Sequence, residues 1–120
     1  MSRIRHIAFL SDNPEQERKF YVNVLGVKEL PRSDAHPNNV MLSDGELFIN
    51  IVKRRPEHNK PVGFYHFGFH VDKIDVIRER LRTEGSSDQI IPRPQSVTAE
   101  CRITDPDDVL IDLSETPWRV

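Results

Sequence analysis

The sequence has one cysteine, Cys101, among 120 residues. No internal disulfide is possible, and a reducing compartment is the natural setting for such a chain. It has little net charge: 17 basic residues against 19 acidic ones leave −2. No basic stripe is present, so no nucleic-acid partner is expected. No apolar run approaches the roughly 20 residues that span a bilayer. The first residues hold no apolar signal region, because Arg3, Arg5 and His6 interrupt it. These absences predict a soluble, cytoplasmic protein with no membrane partner. The length predicts a single domain over 1–120, whose core needs both halves of the chain.

What the sequence does contain, it contains twice. The segment Ile4-Arg5-His6-Ile7-Ala8-Phe9-Leu10-Ser11-Asp12 is echoed by Phe64-Tyr65-His66-Phe67-Gly68-Phe69-His70-Val71-Asp72. Each alternates as a strand does, carries a histidine at the same step and ends in Asp before a helical stretch. His6 and His66 are 60 positions apart, half the chain. A repeat occurring only twice is not a solenoid, which needs three or more units. It predicts two copies of one supersecondary module.

The punctuation fits that reading. A strand over about 3–10 is followed by cap candidates Ser11, Asp12 and Asn13, with Pro14 suited to the first helical turn. Phe20, Tyr21, Val24 and Leu25 form the expected apolar stripe, and Gly26 the stop. Short strands follow at 27–30, 39–42 and 46–52, the last two joined by a turn at Ser43-Asp44-Gly45. Residues 56–63, rich in Pro and polar side chains, read as a linker. Module two then runs over about 64–115: a strand at 64–71, a helix at 73–84 capped by Asp72 and stopped by Gly85, and strands at 89–91, 97–104 and 109–114. Pro92 and Pro94 are expected to keep their loop out of regular pairing. Trp118, the only tryptophan, has no counterpart in module one (about 1–55) and is expected to pack on its own domain or across a subunit interface.

This duplicated strand–helix–three-strand order around His6 and His66 resembles the vicinal oxygen chelate superfamily, the glyoxalase, bleomycin-resistance and extradiol dioxygenase group. The stretch Asp105-Pro106-Asp107-Asp108-Val109-Leu110-Ile111-Asp112-Leu113 is similar to that family's closing pattern of Asp-Pro-Asp-Gly-Asn, two apolar residues and Glu. The resemblance implies an α+β fold of two tandem βαβββ modules whose curved mixed sheets enclose a cleft. It implies metal ligands from the first and fourth strand of each module. By position these are His6 and His66, then Asn50 within Phe48-Ile49-Asn50-Ile51, then Asp112 where Glu is usual.

Two imidazoles, a carboxylate and an amide oxygen suit a borderline divalent ion such as Fe, Mn, Co, Ni or Zn. Such an ion could bind two neighbouring oxygens of a small-molecule substrate. The resemblance spans isomerase, lyase, epimerase and oxygenase chemistry without choosing among them. It also admits a metal-free binding or sequestering protein of the bleomycin-resistance kind. A homodimer is implied.

Other side chains have two readings each. His70 shares a strand face with His66, about 13 Å away at roughly 3.3 Å per residue, and is either an acid or base lining the cleft or a strand-end histidine. Arg102 shares a face with Glu100 and either holds a substrate carboxylate or phosphonate or makes an ion pair. Cys101 reads as a small buried hydrophobe. His36 and His58 read as solvated loop residues. Lys53-Arg54-Arg55 reads as a solvated loop or a pocket rim. Glu115 lies on the opposite face from Asp112 and is a poor substitute ligand.

Overall fold

A computed structural model of the chain describes residues 1–84, 90–94 and 99–116. The expected stop at Gly85, the expected strand starts at Gln89 and Val97, and the tail with Trp118 lie outside the described residues. The elements are β1 (Arg3–Ser11), α1 (Pro14–Leu25), β2 (Lys28–Glu29), β3 (Val40–Ser43), β4 (Phe48–Lys53), a 3₁₀ turn at Pro56–His58, β5 (Gly63–His70), α2 (Ile74–Thr83), β6 (Ile91–Pro92), β7 (Cys101–Thr104) and β8 (Leu110–Ser114). The βαβββ order thus occurs twice. The strands form an eight-stranded mixed sheet in the order β2-β3-β4-β1-β5-β8-β7-β6, open at both edges. The chain divides into two compact units, residues 5–66 and residues 1–4 with 67 onward. No described helix is long and apolar enough to cross a membrane.

In the unit of residues 5–66, Asn13 starts α1: its side chain accepts the Gln16 N–H at 3.2 Å. Pro14 follows in the first turn, and Gly26 ends the helix at φ 72°, where a Cβ would be strained. The buried stripe differs from the one expected. Phe20, Val24 and Leu25 are exposed. Tyr21 and Val22 instead pack on Val40, Leu42 and Ile51.

The residues of α1 withdrawn from solvent are Pro14, Arg18, Tyr21 and Val22, spaced i, i+4, i+7, i+8. Arg18 takes a stripe position because its stem can lie on apolar surface while its guanidinium reaches Glu15 and Glu29. Beneath the helix, Ile7 and Phe9 pair with Ile49 and Ile51 in a parallel ladder, and Leu42 and Val40 pair with them from the other side. The alternate residues His6, Ala8, Phe48, Asn50 and Met41 fall on the opposite face.

In the other unit, Ile74 and Ile77 of α2 cover Val71, Cys101 and Leu113. Asp72 does not cap this helix. The cap position is Lys73, in extended conformation, so Asp72 comes one residue too early. The Ile74 N–H goes instead to the Glu115 carboxylate at 2.8 Å, and Asp72 pairs with the N-terminal ammonium at 2.9 Å. Pro92 does enter regular pairing: Ile91 and Pro92 lie opposite Arg102 and Cys101. An edge strand tolerates proline because one side of it has no ladder partner. Between β7 and β8, Asp105 accepts the N–H groups of Asp107 and Val109 at 2.8 and 2.9 Å. Asp108 sits at φ 65°, where the resembling pattern has glycine.

Two stability effects are expected by urea unfolding. Glu115→Ala should cost about 1 kcal/mol through loss of the cap. Asp108→Val should cost about 1–2 kcal/mol, since a branched residue is forced into the left-handed region, whereas Asp108→Gly should cost less.

Candidate functional site

Strand parity turns His6 of β1 and His66 of β5 away from the helix-covered faces. Both are buried, 1% and 6% exposed. Their Nε2 atoms lie 3.0 Å apart, with ring centroids 5.0 Å apart and planes at 83°. Two such nitrogens must share something, either a proton donated by one ring to the other or a common cation. Two nitrogens bound about 2.0–2.1 Å from one ion at roughly right angles lie about 2.9 Å apart. The observed spacing fits that arrangement as well as it fits a hydrogen bond. Behind His66, Tyr65 lies edge-on at 4.6 Å between centroids, and His58 lies edge-on to Tyr65 at 5.3 Å. His58 is therefore not a solvated loop residue. It is half-buried, and its Nδ1 accepts the Arg55 N–H at 2.9 Å.

Asn50 lies on the same sheet face as His6, flanked by Ala8 on β1 and Met41 on β3. Its Oδ1 is buried without a hydrogen-bond partner. An unsatisfied buried acceptor costs about 1–3 kcal/mol, so this oxygen is suited to a donor group or a cation that a bound ligand would bring.

In the other unit, Asp112 is 2% exposed. Arg102, directly opposite on β7, donates from Nε to Oδ1 at 2.6 Å, and Arg93 places NH1 3.7 Å from the same oxygen. This ion pair gives a buried carboxylate a cationic partner, without which its burial would be costly.

The hairpins put Asn50 and Asp112 in equivalent places. Counting from the turn, Asn50 pairs with Met41 in the third rung of β3·β4, and Asp112 pairs with Arg102 in the third rung of β7·β8. One module thus presents a neutral amide beside a thioether, and the other a carboxylate beside a guanidinium.

Several expected residues have structural partners. The Nε2 of His70 lies 3.1 Å from the Glu115 carbonyl oxygen, to which it can donate. The Glu100 side chain accepts from the Glu115 N–H and the Thr116 hydroxyl. Arg54 grips Asp12 through Nε and NH2 at 2.9 and 2.8 Å. It lines a cavity of about 590 Å³ with Arg55, Asn59 and Lys60. Arg93 escaped the sequence reading because it lies between two prolines, 19 positions from the acid it faces.

Cys101 is buried in the core, and burial pushes its thiol up to about 11. At pH 8 it should therefore be almost wholly protonated. Ellman's reagent should not label native protein at that pH, and labelling should follow the unfolding curve in urea.

A family model described as the Glyoxalase/Bleomycin resistance protein/Dioxygenase superfamily matches residues 3–113. No curated protein matches the sequence. Among solved structures, the chain is similar to a hypothetical protein from Bacillus halodurans C-125, with TM-score 0.72, 18% identity and coverage of 99% of this chain and 97% of that one. It is similar to a methylmalonyl-CoA epimerase in complex with methylmalonyl-CoA and ammonium, with TM-score 0.66, 20% identity and coverage of 94% and 93%. The methylmalonyl-CoA epimerase of Mycobacterium tuberculosis gives TM-score 0.64, 18% identity and coverage of 92% and 85%. At these identities the likeness shows the fold alone.

Proposed function

The chain belongs to the Glyoxalase/Bleomycin resistance protein/Dioxygenase superfamily, and on that footing we propose that it is a divalent-metal-dependent enzyme acting on a small organic molecule. By the family resemblance, the ligands would be His6, His66 and Asp112, each of them buried. Asn50 is the weaker fourth donor in this reading. The observation that carries it is the 3.0 Å approach of the two buried Nε2 atoms.

Mixed imidazole and carboxylate donors suit Fe, Mn, Co, Ni or Zn. When bound, such an ion would polarise a substrate carbonyl or hold two adjacent substrate oxygens. The chain's own residues do the rest. His6 and His66 supply neutral nitrogens from strands whose other faces are packed, which holds their backbones in place. Arg102 orients the Asp112 carboxylate, the role of an outer partner to a ligating group. Asn50 adds an oxygen without adding charge, so it tunes the site more than it anchors it.

A metal-free binding protein is the second reading, and a specific observation favours it. The His6–His66 contact is a satisfactory hydrogen bond as it stands, and the Asp112 carboxylate already has a cationic partner in Arg102.

Elemental analysis and calorimetric titration of tag-free protein with Mn²⁺, Ni²⁺ and Zn²⁺ separate the two. Stoichiometric uptake is expected, abolished by His6→Ala, His66→Ala or Asp112→Ala. Asn50→Ala should weaken it less than Asp112→Ala, and His70→Ala should leave it intact. Absence of uptake by the wild-type protein would leave the metal-free reading standing. Equal losses from all five variants would mean the ligands are misassigned.

A further inference from the structure

Two guanidinium groups approach the buried Asp112 carboxylate, and both contacts fall on the same oxygen, Oδ1. Arg102 holds that oxygen at 2.6 Å with its side chain 11% exposed. Arg93 stands 3.7 Å away with its side chain 30% exposed, beyond hydrogen-bond distance. Among the described residues Arg93 has no other ion pair. The nearest candidate along the ladder is Glu100, whose backbone carbonyl accepts the Arg93 N–H at 2.9 Å. Its carboxylate is turned to the Glu115 N–H and the Thr116 hydroxyl instead. A guanidinium carries five donors in a planar fork matched to a carboxylate, and here that fork is largely unused.

The backbone position of Arg93 is fixed by pairing with the strand that carries Arg102. Ile91 lies opposite Arg102, and Arg102 lies opposite Asp112. Arg93 follows Ile91 by two residues, so it projects from the same face as Arg102 and Asp112. The alternate residues Cys101 and Leu113 lie in the core beneath α2. Arg93 is thus aimed over the polar face that carries Asp112, with its backbone pinned to β7 and its fork partly in solvent.

We propose that Arg93 is the anchor for a substrate carboxylate, so that the site selects small organic anions over neutral molecules of the same shape. This deepens the reading that the polar face bearing Asp112 is the ligand site, and rests on it. Arg102 holds the Asp112 carboxylate in place. Arg93 contributes a second guanidinium, whose solvent-facing donors an incoming carboxylate would accept. An arriving ion adds two further positive charges and strengthens the preference for an anion. The selectivity itself does not depend on the ion.

Malonate, with neutral malonamide as its control, is titrated calorimetrically into metal-free and Mn²⁺-loaded protein at constant ionic strength. The wild-type protein should bind malonate and discriminate against malonamide. Arg93→Gln should weaken malonate binding by about ten-fold or more, the loss of a charge-assisted bond. Arg93→Lys should recover part of the loss, because charge is restored without the fork. Affinity for Mn²⁺ in Arg93→Gln should be held or tightened, and its melting curve should be unchanged. Malonate bound by Arg93→Gln as by wild type would overturn the proposal. So would malonamide bound as tightly as malonate, or malonate ignored by both forms of the wild-type protein. Failure of the metal reading has a different signature: no Mn²⁺ uptake, with Arg93-dependent malonate binding preserved in the metal-free protein.

Discussion

Everything polar in the candidate site follows from the two-residue period of the β-strand. Ile7, Phe9, Ile49 and Ile51 lie on one face, where Ile49 and Ile51 pack with Tyr21 and Val22 of α1. Each of their neighbours is thereby committed to the other face, whatever its chemistry. His6, Ala8, Phe48, Asn50 and Met41 share a surface because their flanks are needed elsewhere. The same rule places Arg102 and Asp112 opposite the face formed by Cys101 and Leu113. A slip of one residue in any of these pairings would carry the site into the core and the core into the site. The hydrophobic effect that holds the helices down therefore also fixes which side chains are available for chemistry.

The two modules carry different polar groups on these faces. In the first, these polar groups are the His6 imidazole and the Asn50 amide, neither of which requires a counter-ion. In the second they are a carboxylate and its guanidinium, which do. Burying a lone Asp112 would cost several kcal/mol, and Arg102 offsets that cost from the facing rung. The corresponding rung of the first module has Met41 against Asn50. An amide needs no cation, and none is supplied. Duplication preserved the geometry, while the electrostatics of the two copies diverged.

How much of this could be read from the sequence depended on the range of the interaction. The alternation of β1 and β5, the His6–His66 equivalence and the punctuation Asn13-Pro14 and Gly26 are local signals, and each led to the right element. The stripe of α1 was misread because Arg18, a charged residue, occupies a position that an apolar count skips. The start of α2 was misread because its cap, Glu115, lies 41 residues downstream. A strand ending at Ile91 was expected, but Pro92 was left out of it because proline argues against pairing unless the strand is known to be an edge. Arg93 was missed for the same reason as Glu115: its significance depends on Asp112, across two strands. Chemistry within one element was visible, and chemistry assembled across elements was not.

The turn at Asp108 shows how two copies of a module can grow apart without losing their register. Ser43 and Phe48 close the first hairpin over four residues, and Thr104 and Leu110 close the second over five. The extra residue sits at the tip, where its cost is one non-glycine residue in the left-handed region. Placed within a strand, the same insertion would have reversed every side chain beyond it and exchanged Asp112 for a core position. Length variation in a duplicated hairpin is thus confined to its tip, and the rungs behind it are free to trade Met–Asn for Arg–Asp one pair at a time.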